Sequence, residues 1–455
     1  MWWQETAPGR YERPLDTAEL LYLGVAALGE ELRMQHWLTS STIELKSAPS
    51  VEDVRRAWIA LRHRHPHIAS VLLDGVEKRF QYTVPSDEEL ERWVRETLVV
   101  YPDGDTHNAA YLEGTLPPTD TMILHYLPYT RQLLFRTPHW RTDGRGMFLL
   151  QHAFCTLLVS EADAPVFDGS EAINLPPSFS QLEGLTDEPA TPEMSQASDA
   201  ILGVVFTGSP PSSLRESLPN TTPGSSHRIT IRLDQGTSKE IIAASKARGQ
   251  TVTTTVHTAL VTVMRRHTDT PDGRMLGFNP FDQRKRLTAP WNGIGSHGAA
   301  CIYHTGKPCS IEFKEHADYD AVAEYLSAYY RQDLQPVYSH MLDYHKKLGR
   351  ILSAPIEVLN ESPGAARPEF SSLGIVDNFL QQSYTGRMGT FEVVDWSLAV
   401  AAVIRPLQIH LWTWNGRMHL SCNYNEAFYT AEFVEEFVEE WKDVLVQELL
   451  HRKSA

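Results

Sequence analysis

Cysteine is scarce in this chain. There are four in 455 residues, Cys155, Cys301, Cys309 and Cys422, with no C-x-x-C pair and no zinc-type spacing. A disulfide scaffold and a cysteine-based metal module are therefore excluded, and each thiol is expected to act as a small buried hydrophobe. Positive charge is also in short supply: 41 Lys and Arg stand against 57 Asp and Glu, for a formal net charge of −16. A polyanion of this kind repels phosphate backbones, so nucleic acid is not an expected partner. No run reaches the roughly 18 apolar residues that a membrane-crossing helix requires. The start, Met1-Trp2-Trp3-Gln4-Glu5, lacks the basic and apolar blocks of a signal peptide. The expectation is a soluble cytoplasmic protein without a membrane span.

Several common catalytic signatures are missing too. There is no phosphate-binding G-x-x-x-x-G-K-[ST], no H-E-x-x-H and no G-x-S-x-G. A literal G-x-G-x-x-G occurs at Gly293, Gly295 and Gly298, but Pro290 stands just before it and no apolar strand leads in. A dinucleotide site needs that strand and a following helix, so this reading fails. His63, His65 and His67 come at a helix end without a carboxylate or cysteine cluster. They are expected to be cations that complement the helix dipole, and no metal is expected.

What is present is an ordinary globular composition, with 42% hydrophobic and 10% aromatic residues in a chain long enough for two or three domains. Ser50 with Asp53, and Ser86 with Glu89, each open an amphipathic helix. Strands are predicted at Thr121–Leu127 and Arg131–Thr137, and an apolar helix at Met147–Val159. Residues 161–226 then hold nine of the 28 prolines, which reads as a crossover with one short helix near Ala197–Val205. Beyond it, Ile229, Ile231 and Leu233 alternate with polar residues in a strand, and helices are predicted at Ser238–Arg248 and Thr253–Arg266. Two alternating runs flank Asn415-Gly416, the signal for a tight hairpin. Across that hairpin His410 and His419 are expected to face each other on a polar surface. A final helix capped by Thr430 carries Phe433, Phe437, Trp441, Val444 and Leu445. The fold class is α/β with mixed sheets. The division is 1–165, a proline-rich linker at 166–226, and 227–455.

The segment with chemical potential is Pro138-His139-Trp140-Arg141-Thr142-Asp143-Gly144-Arg145-Gly146, between a predicted strand and a predicted helix. A histidine there can take a proton from a hydroxyl or amine near neutral pH. Asp143 could turn inward beside it or simply cap the following helix. Gly144 and Gly146 permit a tight bend and close approach.

This string resembles the HxxxDG motif of the condensation-domain and CoA-dependent acyltransferase superfamily. Further stretches fall in matching order: Arg55–Trp58 through Arg64-His65-Pro66-His67-Ile68, Thr251–Leu260, Phe278–Arg286 with Ile294-Gly295, Ser371–Gly374, and Gly416–Asn425 with the closing helix. The likeness spans nearly the whole chain and is nearest in type to fungal trichothecene 15-O-acetyltransferases. It implies two chloramphenicol-acetyltransferase-like lobes in a pseudo-dimeric arrangement with a central tunnel. His139 would be the general base. Asp143 would structure the loop with Gly144 by forming a bidentate pair with Arg284 or Arg286, and Trp140, Asn279, Ser372 and Gly374 would touch substrate. Arg284, Lys285 and Arg286 would also attract the phosphates of CoA. No permanently bound cofactor is implied. Acyl-CoA would be the co-substrate and a small-molecule alcohol, rather than an amine, the acceptor in fungal secondary metabolism. The residue before the base is Pro138, where many relatives carry a second histidine, and the plant-type DFGWG motif is absent. The length leaves no room for a carrier or adenylation segment, so a stand-alone monomer is expected. The same scaffold could serve a condensation-like enzyme or cyclase, or a catalytically silent binding protein.

Overall fold

The computed structural model describes residues 2–451 except 103, 162–164, 186–188, 294, 296, 333, 335, 336, 338 and 339. The chain forms two compact units. The first comprises 1–187, 282–305 and 377–400, and the second 188–281, 306–376 and 401–455. The first unit is thus not one contiguous stretch. Two segments from the latter half of the chain belong to it, and the division at 166–226 anticipates neither.

The reason lies in the six-stranded sheet of the first unit. Its strands run in the order Ser383–Gly386, Gly389–Val400, Thr39–Leu45, Gln132–Thr137, Ile123–Leu127 and Leu98–Val100. Gly389–Val400 pairs antiparallel with Thr39–Leu45, matching Trp396 to Ile43 and Leu398 to Ser41. A strand about 350 residues downstream therefore completes the sheet that carries Gln132–Thr137. Only the outer pair Leu98–Val100 and Ile123–Leu127 is parallel. Helices Val51–Arg64 and Gly144–Leu158 belong to this unit.

The helix Val51–Arg64 forms because Ser50 Oγ accepts the Asp53 amide at 3.1 Å, acids fill its first turn, and Arg62, His63 and Arg64 fill its last. Its Trp58 is fully buried, stacks on Trp93 at 5.4 Å and donates to Thr97 Oγ1 at 3.0 Å. Ser86 and Glu89 form a complete capping box, as predicted. The histidines at this helix end depart from expectation. His65 and His67 are buried, and burial pushes the pKa of His65 down to about 3 and that of His67 well below the usual value. They are neutral core groups, not cations at a helix end, because the chain turns inward after Arg64.

A second sheet in the same unit is antiparallel, in the order Gln4–Ala7, Arg10–Pro14, Arg79–Thr83 and Val71–Leu73. Trp3, Phe80, Tyr82 and Ile302 pack in one cluster beside it.

The second unit is built on a four-stranded sheet, ordered Pro368–Ile375, Leu407–Trp414, Arg417–Asn425 and Ser226–Arg232. The hairpin turns at Asn415-Gly416, whose φ values of 49° and 66° explain the choice of residues. Since Trp414 pairs with Arg417, His410 falls opposite Ser421 and His419 opposite Trp412. The two histidines therefore do not face each other. Both are buried, and burial pushes each pKa down to about 4. Alternation implies one wet face, but the two central strands that carry these histidines are buried on both.

Helices Val252–Arg266 and Ala431–Val446 belong to the same core, and Trp441 Nε1 donates to Val256 O at 2.9 Å. The proline-rich stretch carries its helix at Pro192–Gly203. All four cysteines are free and buried, and burial pushes the Cys155, Cys301 and Cys309 thiols up to about 12, which leaves them inert. Among the described residues no helix is long and apolar enough to cross a membrane.

Trp441 is fully buried and hydrogen-bonded, so Trp441→Ala is expected to cost about 3–5 kcal/mol. Chemical denaturation followed by near-UV circular dichroism would measure it.

Candidate active site

The strand Gln132–Thr137 and the helix Gly144–Leu158 are joined by residues 138–143, and the hydrogen bonds of the Arg141, Thr142 and Asp143 side chains go to groups of the first unit. Arg141 is buried and donates from Nε to Asp120 O at 2.8 Å and from a terminal nitrogen to Ser70 Oγ at 3.2 Å. Thr142 Oγ1 donates to Ala299 O at 2.6 Å. Trp140 is 3% exposed and packs with Trp3, Phe80 and Tyr82. It belongs to a core cluster of the first unit, where the resemblance implies a residue that touches substrate.

Asp143 is the hub. Its Oδ1 accepts the Gly146 amide at 2.7 Å and so caps the helix. Its Oδ2 accepts from an Arg284 terminal nitrogen at 2.9 Å and from the Tyr303 amide at 2.9 Å, with His304 Nδ1 at 3.3 Å. The two sequence readings, helix cap and inward partner, are both correct, one per oxygen. Burial alone would raise its pKa, but the Arg284 charge and the His304 ring hold it well below the usual carboxylate range. Burial opposes the charge on Arg284 as well, and Asp143 followed by Asp282 raises its pKa above the usual value. Both groups are therefore ionised.

The pairing is not bidentate. One Arg284 nitrogen is shared between Asp143 and Asp282, and the other donates to Gly298 O at 2.9 Å. Arg286 takes a different partner, Glu183, at 2.7 Å. Arg284 is 1% exposed and so is withdrawn from any role in attracting CoA, which leaves Lys285 as the exposed cation of this turn.

Gly146 is where the loop demands glycine. A Cβ there would stand 2.2 Å from Ala299 O and 2.2 Å from Thr142 Oγ1. Gly144 is half-buried at the first helical position. Asn279, Ser372 and Gly374 belong to the second unit. Asn279 is buried and donates to Phe370 O at 3.0 Å, Ser372 Oγ pairs with Thr253 Oγ1 at 2.9 Å, and Gly374 sits at a bulge with φ 78°. Ile294, which carried part of the resemblance, lies outside the described residues.

His139 is half-buried, and three rings surround it that no local sequence signal singles out. Tyr22 stacks on it at 4.3 Å with 9° between planes, Trp37 lies tilted at 6.2 Å, and His304 stands edge-on at 5.6 Å. The Tyr22 hydroxyl is hydrogen-bonded to His304 Nε2. Burial first, then the negative charge of Asp143, raises the Tyr22 pKa, so the phenol stays protonated. Trp37 holds a φ of 57°, which costs about 1–3 kcal/mol for a bulky residue and tends to persist where function uses the geometry. Tyr22 and His304 lie 117 and 165 residues from His139, and nothing local in the sequence marks either.

No protein-family model matches the chain. It is similar to "Acetyltransferase pigO" of Monascus ruber, 27% identical over 98% of both chains. Its fold is similar to the TRI3 trichothecene 15-O-acetyltransferase of Fusarium sporotrichioides, with a TM-score of 0.81 and 20% identity over 98% of this chain and 97% of that one. The first condensation domain of the calcium-dependent antibiotic synthetase matches at a TM-score of 0.64 and 15% identity, over 96% and 97%. The fold is that of condensation-domain-like acyltransferases, as the HxxxDG resemblance implies.

Gly146→Ala is expected to leave a misplaced loop and no soluble wild-type-like fold, because backbone oxygen on one side cannot yield; thermal melting and nuclear magnetic resonance fingerprints would register it. For Asp143→Asn, breaking a buried pair is expected to cost about 3–5 kcal/mol at pH 7. The sign is fixed by the depressed pKa: the carboxylate's contribution is complete above the unfolded value near ~3.9 and is lost as pH falls through the folded one. The gap in melting temperature between wild type and variant should therefore stay constant from pH 8 to 5 and close only in strong acid.

Proposed function

We propose that this protein is an acyltransferase that moves an acyl group from CoA to the hydroxyl of a small secondary metabolite, with His139 as general base. The observation that carries the proposal is a division of labour on one loop. Both oxygens of Asp143 are committed to amides, Arg284 and His304, which excludes it as a proton acceptor, whereas the half-buried His139 is held ring against ring. The names of the similar acetyltransferases agree with acyl transfer, and the trichothecene enzyme's with an oxygen acceptor.

In this reading the imidazole removes the acceptor's hydroxyl proton as the oxygen attacks the thioester carbonyl. The C–O bond forms, the tetrahedral intermediate collapses, and the C–S bond breaks. The imidazolium then returns the proton to the departing CoA sulfur, so no covalent enzyme intermediate arises. Positioned proton transfer of this kind contributes about 10²–10⁴-fold, and holding both substrates together supplies much of the remainder. Lys285, exposed next to the buried Arg284, is the cation we assign to CoA phosphates. No permanently bound cofactor enters the scheme, and we propose a monomer that acts in the cytoplasm.

The test is calorimetric binding of acetyl-CoA and longer acyl-CoAs, followed by thiol release with wild type and His139→Ala. Binding with thiol release that falls about 10²–10⁴-fold in the variant is the expected result. Absence of both binding and release across the panel would overturn CoA dependence and turn attention to a carrier-bound donor or a cyclisation.

A further inference from the structure

We propose that Tyr22 and His304 form a relay that positions the His139 imidazole, so that Asp143 sets the geometry of the base through a second histidine and a phenol ring. The proposal rests on His139 being the base and deepens that reading.

The argument follows the hydrogen-bonding capacity of each group. Asp143 is ionised, so its Oδ2 can only accept, and His304 Nδ1 at 3.3 Å must carry the proton. The other ring nitrogen, Nε2, is hydrogen-bonded to the Tyr22 hydroxyl. The His304 ring is thereby engaged at both nitrogens and the phenol is tethered at its oxygen. The tethered ring lies parallel to His139 at 4.3 Å, close enough to limit tilting of the imidazole about its own Cβ–Cγ bond. Trp37 and the edge of His304 close two further sides. Helix Thr17–Ala26 presents Tyr22, and that helix is pinned by an Asp16–Glu19 capping box and by Arg13, buried and paired with Glu19 at 2.6 Å. The tether is therefore rigid at both ends. His139 is then held by aromatic contact on three sides. Tyr22 and His304 are positioning residues, since they act through His139.

Two readouts test this. In protein labelled at histidine Cε1–H, the His139 resonance, assigned by its loss in His139→Gln, should lie upfield from the ring current of Tyr22. It should move downfield in Tyr22→Leu, less in His304→Gln, and keep its upfield position in Tyr22→Phe. In turnover, Tyr22→Leu is expected to lower kcat about 10–100-fold with KM for acyl-CoA within twofold, the size of loss that a misplaced catalytic group produces. Tyr22→Phe and His304→Gln should each cost only a few-fold. Their double variant should be no worse than either single one, because both cut the same tether. An unmoved resonance in Tyr22→Leu, or additive losses in the double variant, would overturn the relay. Shifted resonances in a wild-type protein that releases no thiol would leave the relay standing and remove the acyl-transfer reading, so the two failures are distinguishable.

Discussion

A single buried carboxylate organises the first unit. Removing an ion such as Asp143 from water costs several kcal/mol after relaxation, and only dense compensation makes that tolerable. Here the compensation comes from four directions: the N-terminus of helix Gly144–Leu158, the Arg284 guanidinium, the Tyr303 amide and the His304 ring. Each of these groups is fixed in turn by its own contacts. Arg284 holds Gly298 O, and Thr142 next to Asp143 holds Ala299 O. The ion pair therefore ties the loop that carries His139 to residues 282–305, which follow the first of the three segments of the second unit. A neutral asparagine would lose the charge that Arg284 requires, and leave a buried cation instead.

The surroundings of His139 follow from that tie. Because His304 is attached to Asp143, it stands where its far nitrogen meets Tyr22, and Tyr22 stands where its face meets the imidazole. The strained backbone of Trp37 adds a third wall. Aromatic contact of this kind restricts the orientation of the imidazole ring. The same reasoning separates the members of the motif. Trp140 and Arg141 are turned into the core as ballast for the loop, Asp143 is structural, and His139 alone presents a titratable side chain with partial access to solvent.

Much of this architecture was legible in the sequence because its signals are local. Ser50, Ser86 and Thr430 cap the helices that follow them, and Asn415-Gly416 makes the hairpin, since each depends on hydrogen bonds or dihedral angles within a few residues. The histidines show the limit of such reading. His65, His67, His410 and His419 look like surface or helix-end groups by position, but all four are buried and neutral or nearly so. Alternation along a strand tells which residues share a face, not whether that face is covered. The register of the hairpin, fixed by its two-residue turn, was enough to show that His410 and His419 are not opposite each other.

The sequence by itself determined the mixed α/β class, the helix starts, the hairpin, and the loop bearing His139, Asp143 and two glycines, because these are properties of short segments. Tertiary structure alone decided that Arg284 and not Arg286 meets Asp143, that Gly389–Val400 joins the first sheet, and that Tyr22, Trp37 and His304 enclose His139. Those outcomes depend on which distant surfaces can bury apolar area and satisfy buried charge together. That is a condition on the whole chain, and no window of the sequence contains it.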